Sequence, residues 1–550
     1  MTHSAGINTA SPLDEYNTLV NDAIERIKSL YISDPIPWVL GYSGGKDSTA
    51  TLQLVWEALE QLKTEGKATK EVNVICSDTL VENPLVAMWV EKSLKSINQT
   101  AIDKGLPISA HKLTPKLQDR FWANLIGKGY PAPRNKFRWC TSRLKINASN
   151  EFLEDITALY GEAIILLGTR KSESAARKAR MEAHEESKLN TRADVGLKES
   201  SPSQRIWSFE PIADWDTDTV WMYLTKKVNP WGVSNKELMS LYRGATEGGE
   251  CPVVLDKDTP SCGDSRFGCY VCTLVSEDKS MNAMIANDAE KDWMYPLVEI
   301  RNELEVNGAT QEEKVIKLRR DKGNRDFRRM NGKLTVHISK HGADLVPGPY
   351  VQEFREYLLK KLLKAQEHIR TYGPSEVKDI KLIELDELEF IRNIWVNEKH
   401  EVEDNVPRIY EDATGRPYPG PTISRHPLLS NKNLEILKQY TNSLGESEGA
   451  RVYEMLRSLW HTEVQHQKYV KRVTLKKELR KTLEQTRFAT FDDAKKFALD
   501  AERHKRKLEL ENNTTLDESE AEQLKSEIEI LTRSRKQPGY SSLILAVEPE

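Results

Sequence analysis

Cysteine is scarce in this chain. Six occur in 550 residues, Cys76, Cys140, Cys251, Cys262, Cys269 and Cys272, and none lies in the second half. That density excludes a disulfide-stapled scaffold, which needs thiols in proportion to its size. An excess of one charge sign is also missing: 80 Lys+Arg stand against 84 Asp+Glu, a formal net charge of −4. A uniformly basic nucleic-acid binder is therefore excluded, although a whole-chain sum leaves room for local basic faces. No apolar run approaches the roughly 20 residues that span a bilayer, so no membrane partner is expected. Residues 1–19 are polar and include Asp14 and Glu15, unlike the apolar core of a signal peptide, and a cytoplasmic location is expected.

What is present is a chain with 38% hydrophobic and 30% charged residues, long enough for about three domains. Helical spacing of Leu19, Val20, Ala23, Ile24 and Ile27 is stopped by Pro35 and Pro37. A short apolar run, Trp38-Val39-Leu40, enters a Gly-rich turn, and Asp47–Leu62 has an amphipathic helical pattern. Val72–Cys76, Ile108–Leu113 and Ala163–Thr169 read as further strands, with helical segments at Pro84–Ile97 and Glu151–Leu159 between them. Strand and helix alternating in this way predict an α/β domain with a parallel sheet covered on both faces. Residues 183–205 are polar and predicted as a mobile loop, and Trp207–Ile212 as an edge strand. Beyond about residue 300 long helical patterns dominate, including Val351–Tyr372 and Asn433–Tyr440, separated by a proline-rich connector, Pro407–Pro427. Leu475, Leu479 and Leu483, then Leu524, Ile528 and Leu531, predict a charged helical hairpin or short coiled coil. The expected organisation is 1–300, 301–430 and 431–550.

Ser43-Gly44-Gly45-Lys46-Asp47-Ser48 lies between a predicted strand and a predicted helix. Glycines allow a tight turn and close approach of backbone to ligand. N–H groups at a helix start bind phosphate oxygens, Ser43 and Ser48 add hydroxyls, and Lys46 adds a point charge. The Walker A spacing is absent. A lone Ser-Gly-Gly would read as an ordinary capped turn; the full string in strand–loop–helix context favours phosphate binding. Cys262-x₆-Cys269-x₂-Cys272 is a compact thiolate set, and a fourth ligand would complete a tetrahedral zinc site or a [4Fe–4S] cluster. Spacing alone does not separate the two metals. Cys140 and Cys251 compete for the fourth place, and Cys76, following Val74 and Ile75, reads as a buried strand residue.

The Ser43–Ser48 string resembles the PP-loop of the ATP pyrophosphatase superfamily, which has a nucleotide α-hydrolase-like fold and splits ATP between the α and β phosphates. Cys76-Ser77-Asp78-Thr79 with Glu82, then Leu167-Gly168-Thr169-Arg170 with Glu173-Ser174 and Arg177, and finally Glu210–Trp215 with Val220–Leu224, are similar to ordered motifs of its phosphoadenylylsulfate (PAPS) reductase branch. The resemblance covers about residues 15–290. It implies ATP as a substrate, pyrophosphate in the Ser43–Ser48 loop, Lys46, Asp47 and Arg170 in catalysis, and Asp78 as a possible Mg²⁺ ligand. It implies Cys140 as the fourth ligand, with Cys251 in reserve, and favours iron–sulfur over zinc. Phe267–Thr273 with Asp278-Lys279-Ser280 is similar to the DndC family, the sulfurtransferases of bacterial DNA phosphorothioation. That likeness implies DNA, a cysteine desulfurase and other DNA phosphorothioation (Dnd) proteins as partners. PAPS reductases use a C-terminal nucleophilic cysteine, and no cysteine follows Cys272 here. A transfer-RNA thiolation enzyme and a zinc-binding scaffold module remain as alternatives. Two basic runs, Lys171–Arg180 and Lys317–Lys333, are the expected DNA contacts, with a solvated helix face as the plainer reading. His337 and His341 complete no familiar ligand motif and are expected to be structural.

Overall fold

The computed structural model describes residues 12–186, 191–192, 197–201, 205–246, 267–423, 429–467, 473–513 and 517–535. They divide into two compact units: the described parts of 1–121, 133–303 and 368–380, and those of 122–132, 304–367 and 381–550.

The first unit is built on a seven-stranded sheet. Its strands are β1 (Trp38–Gly41), β2 (Val72–Ser77), β3 (Ile108–Leu113), β4 (Ala163–Leu166), β5 (Thr191–Arg192), β6 (Leu197–Ser201) and β7 (Ile206–Phe209), in the order β3-β2-β1-β4-β7-β6-β5. The five strands from β3 to β7 are parallel, and β6 and β5 add antiparallel pairs at one edge. Burial on both faces explains the unbroken apolar runs: Trp38, Val39 and Leu40 are fully buried, as are Val72 and Val74. Helices α1 (Pro12–Ser33), α2 (Lys46–Thr64) and α3 (Pro84–Asp103) bury Ile27, Leu52, Val55, Leu59 and Ile97 in the same core. Asn83 caps α3 by accepting from the Leu85 amide at 2.9 Å, and Pro84 occupies the first helical position.

Two expectations are corrected. The segment expected as an edge strand is internal, because β7 pairs with β4 on one side and β6 on the other. The stretch expected as a mobile loop contributes β5 and β6. Its polar composition hid them, since a short antiparallel pair at a sheet edge needs no apolar run.

In the second unit, a hairpin of β8 (Val336–Ser339) and β9 (Gly342–Leu345) packs Ala343 and Leu345 against Leu499, Ala494, Ala498 and Leu531. Those side chains come from helices Phe491–Asn512 and Glu518–Arg535, which pair with each other; of the expected hairpin only the second arm, with Leu524, Ile528 and Leu531, takes part. Helix Leu475–Gln485 is a separate element, and its Leu483 is 51% exposed. The proline-rich connector is shorter than expected, because Asn405–Thr414 is helical with Pro407 in its first turn, where a missing N–H costs nothing. Three buried arginines hold three carboxylates: Arg355–Glu401, Arg392–Asp404 at 2.7 Å and Arg457–Glu403 at 2.7 Å. His337 lies in β8 and His341 at its turn.

β1 has β2 on one side and β4 on the other, so the strand order reverses between β1 and β4. Ligands of open α/β sheets bind at such a switch point, beyond the carboxyl ends of the strands. Here the exit of β4 nearly touches α2: a Cβ at Gly168 would lie 2.7 Å from the Asp47 carbonyl oxygen and 2.9 Å from Thr51 Oγ1. Gly168→Ala should therefore destabilise the first unit by about 1–3 kcal/mol, measured by denaturant unfolding against the wild type. An unchanged midpoint would show that the contact relaxes freely.

Candidate nucleotide and thiol site

The loop after β1 is held in shape by its own side chains. Gly44 has φ +72°, and a Cβ there would meet Val90 Cγ2 at 2.5 Å, so only glycine fits. Trp89 Nε1 donates to the Gly44 carbonyl at 2.9 Å. Ser43 and Ser48 hydroxyls are 3.1 Å apart, the Ser43 amide donates to Ser48 Oγ at 3.2 Å, and Ser48 Oγ donates to the Gly45 carbonyl at 3.1 Å. Gly45 is the N-cap of α2 and offers no side-chain acceptor. The first turn of α2 therefore takes no cap from its own N-cap residue, an arrangement that suits an anion. The Lys46 amide meets the Tyr242 hydroxyl at 3.2 Å.

The charges of this loop are interlocked. Lys46 is 5% exposed, with Nζ 3.5 Å from Asp47 Oδ2 and 5.3 Å from the Tyr242 ring centre. Burial lowers the lysine pKa; Asp47 works against that and Arg170 reinforces it. Arg170, 2% exposed, follows β4. Its Nε donates to Asp47 Oδ1 at 2.7 Å, its Nη1 to Ser172 Oγ at 2.7 Å and the Trp215 carbonyl at 3.3 Å, and its Nη2 to Thr217 Oγ1 at 3.3 Å. The sequence pointed Arg170 at a phosphate; in the structure its guanidinium fixes Asp47 and the neighbouring loops while still lining the cavity.

That cavity, about 1330 Å³, extends from the phosphate loop past the ends of β2 and β4. Its far wall includes Cys76, Asp78, Glu82, Lys112 and Lys145. Asp78 accepts from the Leu80 amide at 2.8 Å and lies 3.4 Å from Lys112. With one carboxylate so engaged, the described residues build no all-protein magnesium cage. An Mg²⁺ ion here would be held chiefly by nucleotide phosphates and water.

The Cys269–Cys272 loop docks on the segment after β2. Cys269 bridges Glu82, the Tyr270 amide donates to the Val81 carbonyl at 2.9 Å, and Thr79 Oγ1 is 3.3 Å from Cys269 Sγ. Glu82 receives the Thr79 hydroxyl at 2.9 Å, lies 3.9 Å from Cys269 Sγ and is 3.6 Å from Lys145 Nζ. Fully buried Arg301 donates to the carbonyls of Cys272 at 3.0 Å, Ser276 at 2.8 Å and Val275. Thr273 Oγ1 donates to the Pro133 carbonyl at 2.7 Å, which ties this loop to the segment leading to Cys140. Cys140 and Cys269 are both near enough to Cys272 for its charge to raise their pKa values, after burial as the main cause, and Cys269 is pushed up to about 12.

Three of the four expected cluster ligands, Cys140, Cys269 and Cys272, thus share one neighbourhood. Cys262 and its reserve Cys251 lie outside the described residues. Among the described residues no three metal-binding side chains converge on one point. The soft sulfur donors suit a thiophilic centre, while Cys269 is turned to Thr79 and Glu82.

Residues 37–274 match the phosphoadenosine phosphosulfate reductase domain. They carry a PAPS reductase-like domain. A curated relative, an uncharacterized protein of Methanocaldococcus jannaschii, is 25% identical over 281 residues, 51% of this chain and 44% of its own length. The chain therefore spans less than half of that relative. Among solved structures, PAPS reductase from Candida auris in its phosphate complex is 15% identical, covering 40% of this chain and 89% of that one, with a TM-score of 0.23. The U34-tRNA thiolase NcsA from Methanococcus maripaludis, with its [4Fe-4S] cluster, is 14% identical, covering 52% and 80%, with a TM-score of 0.26.

Sequence reasoning missed Tyr242, Trp89, Lys145 and Arg301 in the PAPS reductase-like domain and its surroundings. Each lies far along the chain from the group it serves, and none carries a local spacing signal. Cys76, read as a strand residue, is indeed 5% exposed in β2, yet it also lines the cavity. Burial, then Glu82 and Asp78, push its thiol up to about 12, with Lys145 and Lys112 opposing. The reactive thiolate of Cys76 is thus scarce until pH far above the ordinary thiol value of about 8.5. Iodoacetamide labelling mapped by mass spectrometry should leave Cys76 largely unmodified at pH 9; rapid labelling there would contradict this.

Proposed function

We propose that this chain is an ATP-dependent sulfurtransferase that acts in DNA phosphorothioation. The observation that carries the reading is one cavity lined at one end by Ser43–Ser48 and at the other by Glu82 and Lys145, which surround Cys269. Nucleotide activation and sulfur delivery are two halves of one reaction and need adjacent sites. The DNA assignment rests on the likeness of Phe267–Thr273 to the DndC family.

In this reading a non-bridging oxygen of a DNA backbone phosphate attacks the α-phosphorus of ATP. The new O–P bond forms as the bond to the β-phosphate oxygen breaks, and pyrophosphate leaves into the Ser43–Ser48 loop. Backbone N–H groups of the loop and Lys46 bear the developing charge, and Arg170 keeps Asp47 and the loop in place. A sulfide-level sulfur then attacks the adenylylated phosphorus, AMP departs with the oxygen, and a phosphorothioate remains. Cys140, Cys269 and Cys272, with Cys262, would hold an iron–sulfur cluster, which when bound supplies a sulfur-handling centre beside the nucleotide. Mg²⁺ would enter with ATP near Asp78. A cysteine desulfurase as source of persulfide sulfur, a thiol reductant that supplies the two electrons taking that sulfur to the sulfide level, and other Dnd proteins as partners belong to the same reading. Transfer-RNA thiolation is the second reading, favoured by the same cavity and distinguished only by the acceptor.

Anaerobically purified protein should be brown and release pyrophosphate from ATP. Ser43→Ala combined with Asp47→Ala should reduce that release at least a hundredfold. Mass spectrometry of digested DNA should show phosphorothioate dinucleotides disappearing when the chain is deleted. Their persistence, or loss of thiolated nucleosides from RNA instead, would overturn the DNA assignment.

A further inference from the structure

The two basic runs expected to meet DNA are largely engaged within the protein. Lys171 pairs with Asp214 at 2.8 Å, Arg177 with Glu173, and Lys178 with Glu182 at 3.9 Å. Lys317 pairs with Glu305 at 2.7 Å, Lys322 with Asp344, Arg325 with Asp321 at 3.5 Å, and Arg328 with Asp326 at 2.9 Å. These cations hold loops and helix ends together. A third cationic segment is engaged only in part: Arg143 pairs with Asp119 at 3.0 Å and Lys145 with Glu82 at 3.6 Å. Between Asp119 and Glu151 there is no acidic residue, while Arg120, Lys128, Arg134, Lys136, Arg138, Arg143 and Lys145 all occur there. A chain with 84 acidic residues in 550 would ordinarily place several in a stretch of that length.

The centre of the stretch is a closed turn. The Arg134 amide donates to the Phe137 carbonyl at 3.2 Å, and the Phe137 amide to the Arg134 carbonyl at 2.8 Å. Asn135, Lys136, Phe137 and Arg138 are exposed, Phe137 at 46%. Both flanks are anchored: the Pro133 carbonyl accepts from buried Thr273, and Trp139 stacks on Phe121 with ring centres 5.3 Å apart. Among the described residues Lys136 makes no ion pair, and Arg138 bonds only to the neutral side chain of Asn135, at 3.2 Å. An exposed large aromatic between two cations, on a turn held at both ends, combines a stacking surface with phosphate contacts at little ordering cost. Its anchors place it beside the cysteines, since Cys140 follows Trp139 and Thr273 follows Cys272.

We propose that the Asn135–Arg138 turn docks a single strand of nucleic acid, Phe137 stacking on a base and Lys136 and Arg138 holding the flanking phosphates. The inference rests on the reading that the chain acts on nucleic acid, and it adds which surface receives the strand. Stacking platforms of this kind are tolerant of base identity, so DNA and RNA are both accommodated by the turn itself.

The test is fluorescence anisotropy of labelled oligothymidylate and oligouridylate titrated with the full chain. Phe137→Ala should weaken binding about tenfold or more, Phe137→Trp should stay near wild type, and Phe137→Leu should behave like alanine. Lys136→Ala with Arg138→Ala should lower the slope of log affinity against log salt by about 1.4, since each single-strand phosphate left without its cation removes about 0.7. Thermal melting of each variant separates lost binding from lost stability, and Phe137→Trp keeps the aromatic ring whatever it contributes to the fold. Loss of binding to both oligonucleotides in Phe137→Ala supports the turn, and a preference of the wild type for one of them identifies the source of the strand. Wild-type affinity and salt slope in every variant would overturn the inference and leave the functional reading standing. Retained binding by Phe137→Leu would indicate an apolar contact suited to a protein partner and would also overturn it. Failure of the wild type to bind either oligonucleotide would remove both this inference and the nucleic-acid acceptor.

Discussion

The ion pair between Asp47 and Arg170 is the interaction on which the site depends. It joins the first turn of α2 to the chain leaving β4, across the point where the strand order reverses. A guanidinium that is 2% exposed has given up most of its hydration, and such a charge is tolerated only when its donors are satisfied. Arg170 meets that condition with one carboxylate, two hydroxyls and a carbonyl. The shape of the phosphate loop and the course of the chain after β4 are therefore mutually dependent. The close approach of Gly168 to the Asp47 carbonyl is the steric side of the same arrangement.

The electrostatics of Lys46 follow from that pair. Burial and the neighbouring guanidinium both disfavour its charge, and Asp47 is the chief compensation. A polyanion entering the loop would supply the missing negative charge, so the loop is organised to gain most from a phosphate ligand. At the other end of the cavity the logic inverts. Glu82 lies beside Cys269, and burial with that carboxylate keeps the thiol protonated. Lys145 opposes this effect, and its own pKa is raised: burial lowers it, but Glu82 and Cys269 more than offset that. Metal coordination would displace the thiol proton and change this balance. The segment Ser77–Asn83 serves both ends, since Asp78 and Glu82 line the cavity while Val81 and Glu82 hold the cysteine loop.

The second unit shows what became of charges that looked available for binding. Three of its arginines, Arg355, Arg392 and Arg457, are buried against Glu401, Asp404 and Glu403, and most cations of the 317–333 run find partners nearby. A solvated stripe and an internally paired one have the same sequence. Lys136 and Arg138 look no more prominent in sequence than those runs, and differ in making no ion pair among the described residues.

Local pattern was enough for the parallel strands, the helices between them and the Ser43–Ser48 loop. Each depends on interactions between residues a few positions apart: apolar runs buried on both faces, helical spacing, and a left-handed glycine at a turn. The same pattern could not place β5 and β6, whose pairing at a polar edge leaves no apolar trace, nor make β7 internal. It also could not assign partners to charges. Whether Arg170 faces a phosphate or Asp47, whether Lys317 faces solvent or Glu305, and which loop Arg301 anchors were decided by tertiary structure. Burial makes an unpaired charge costly, and the partner that relieves that cost comes from wherever the fold brings a carboxylate or carbonyl within reach.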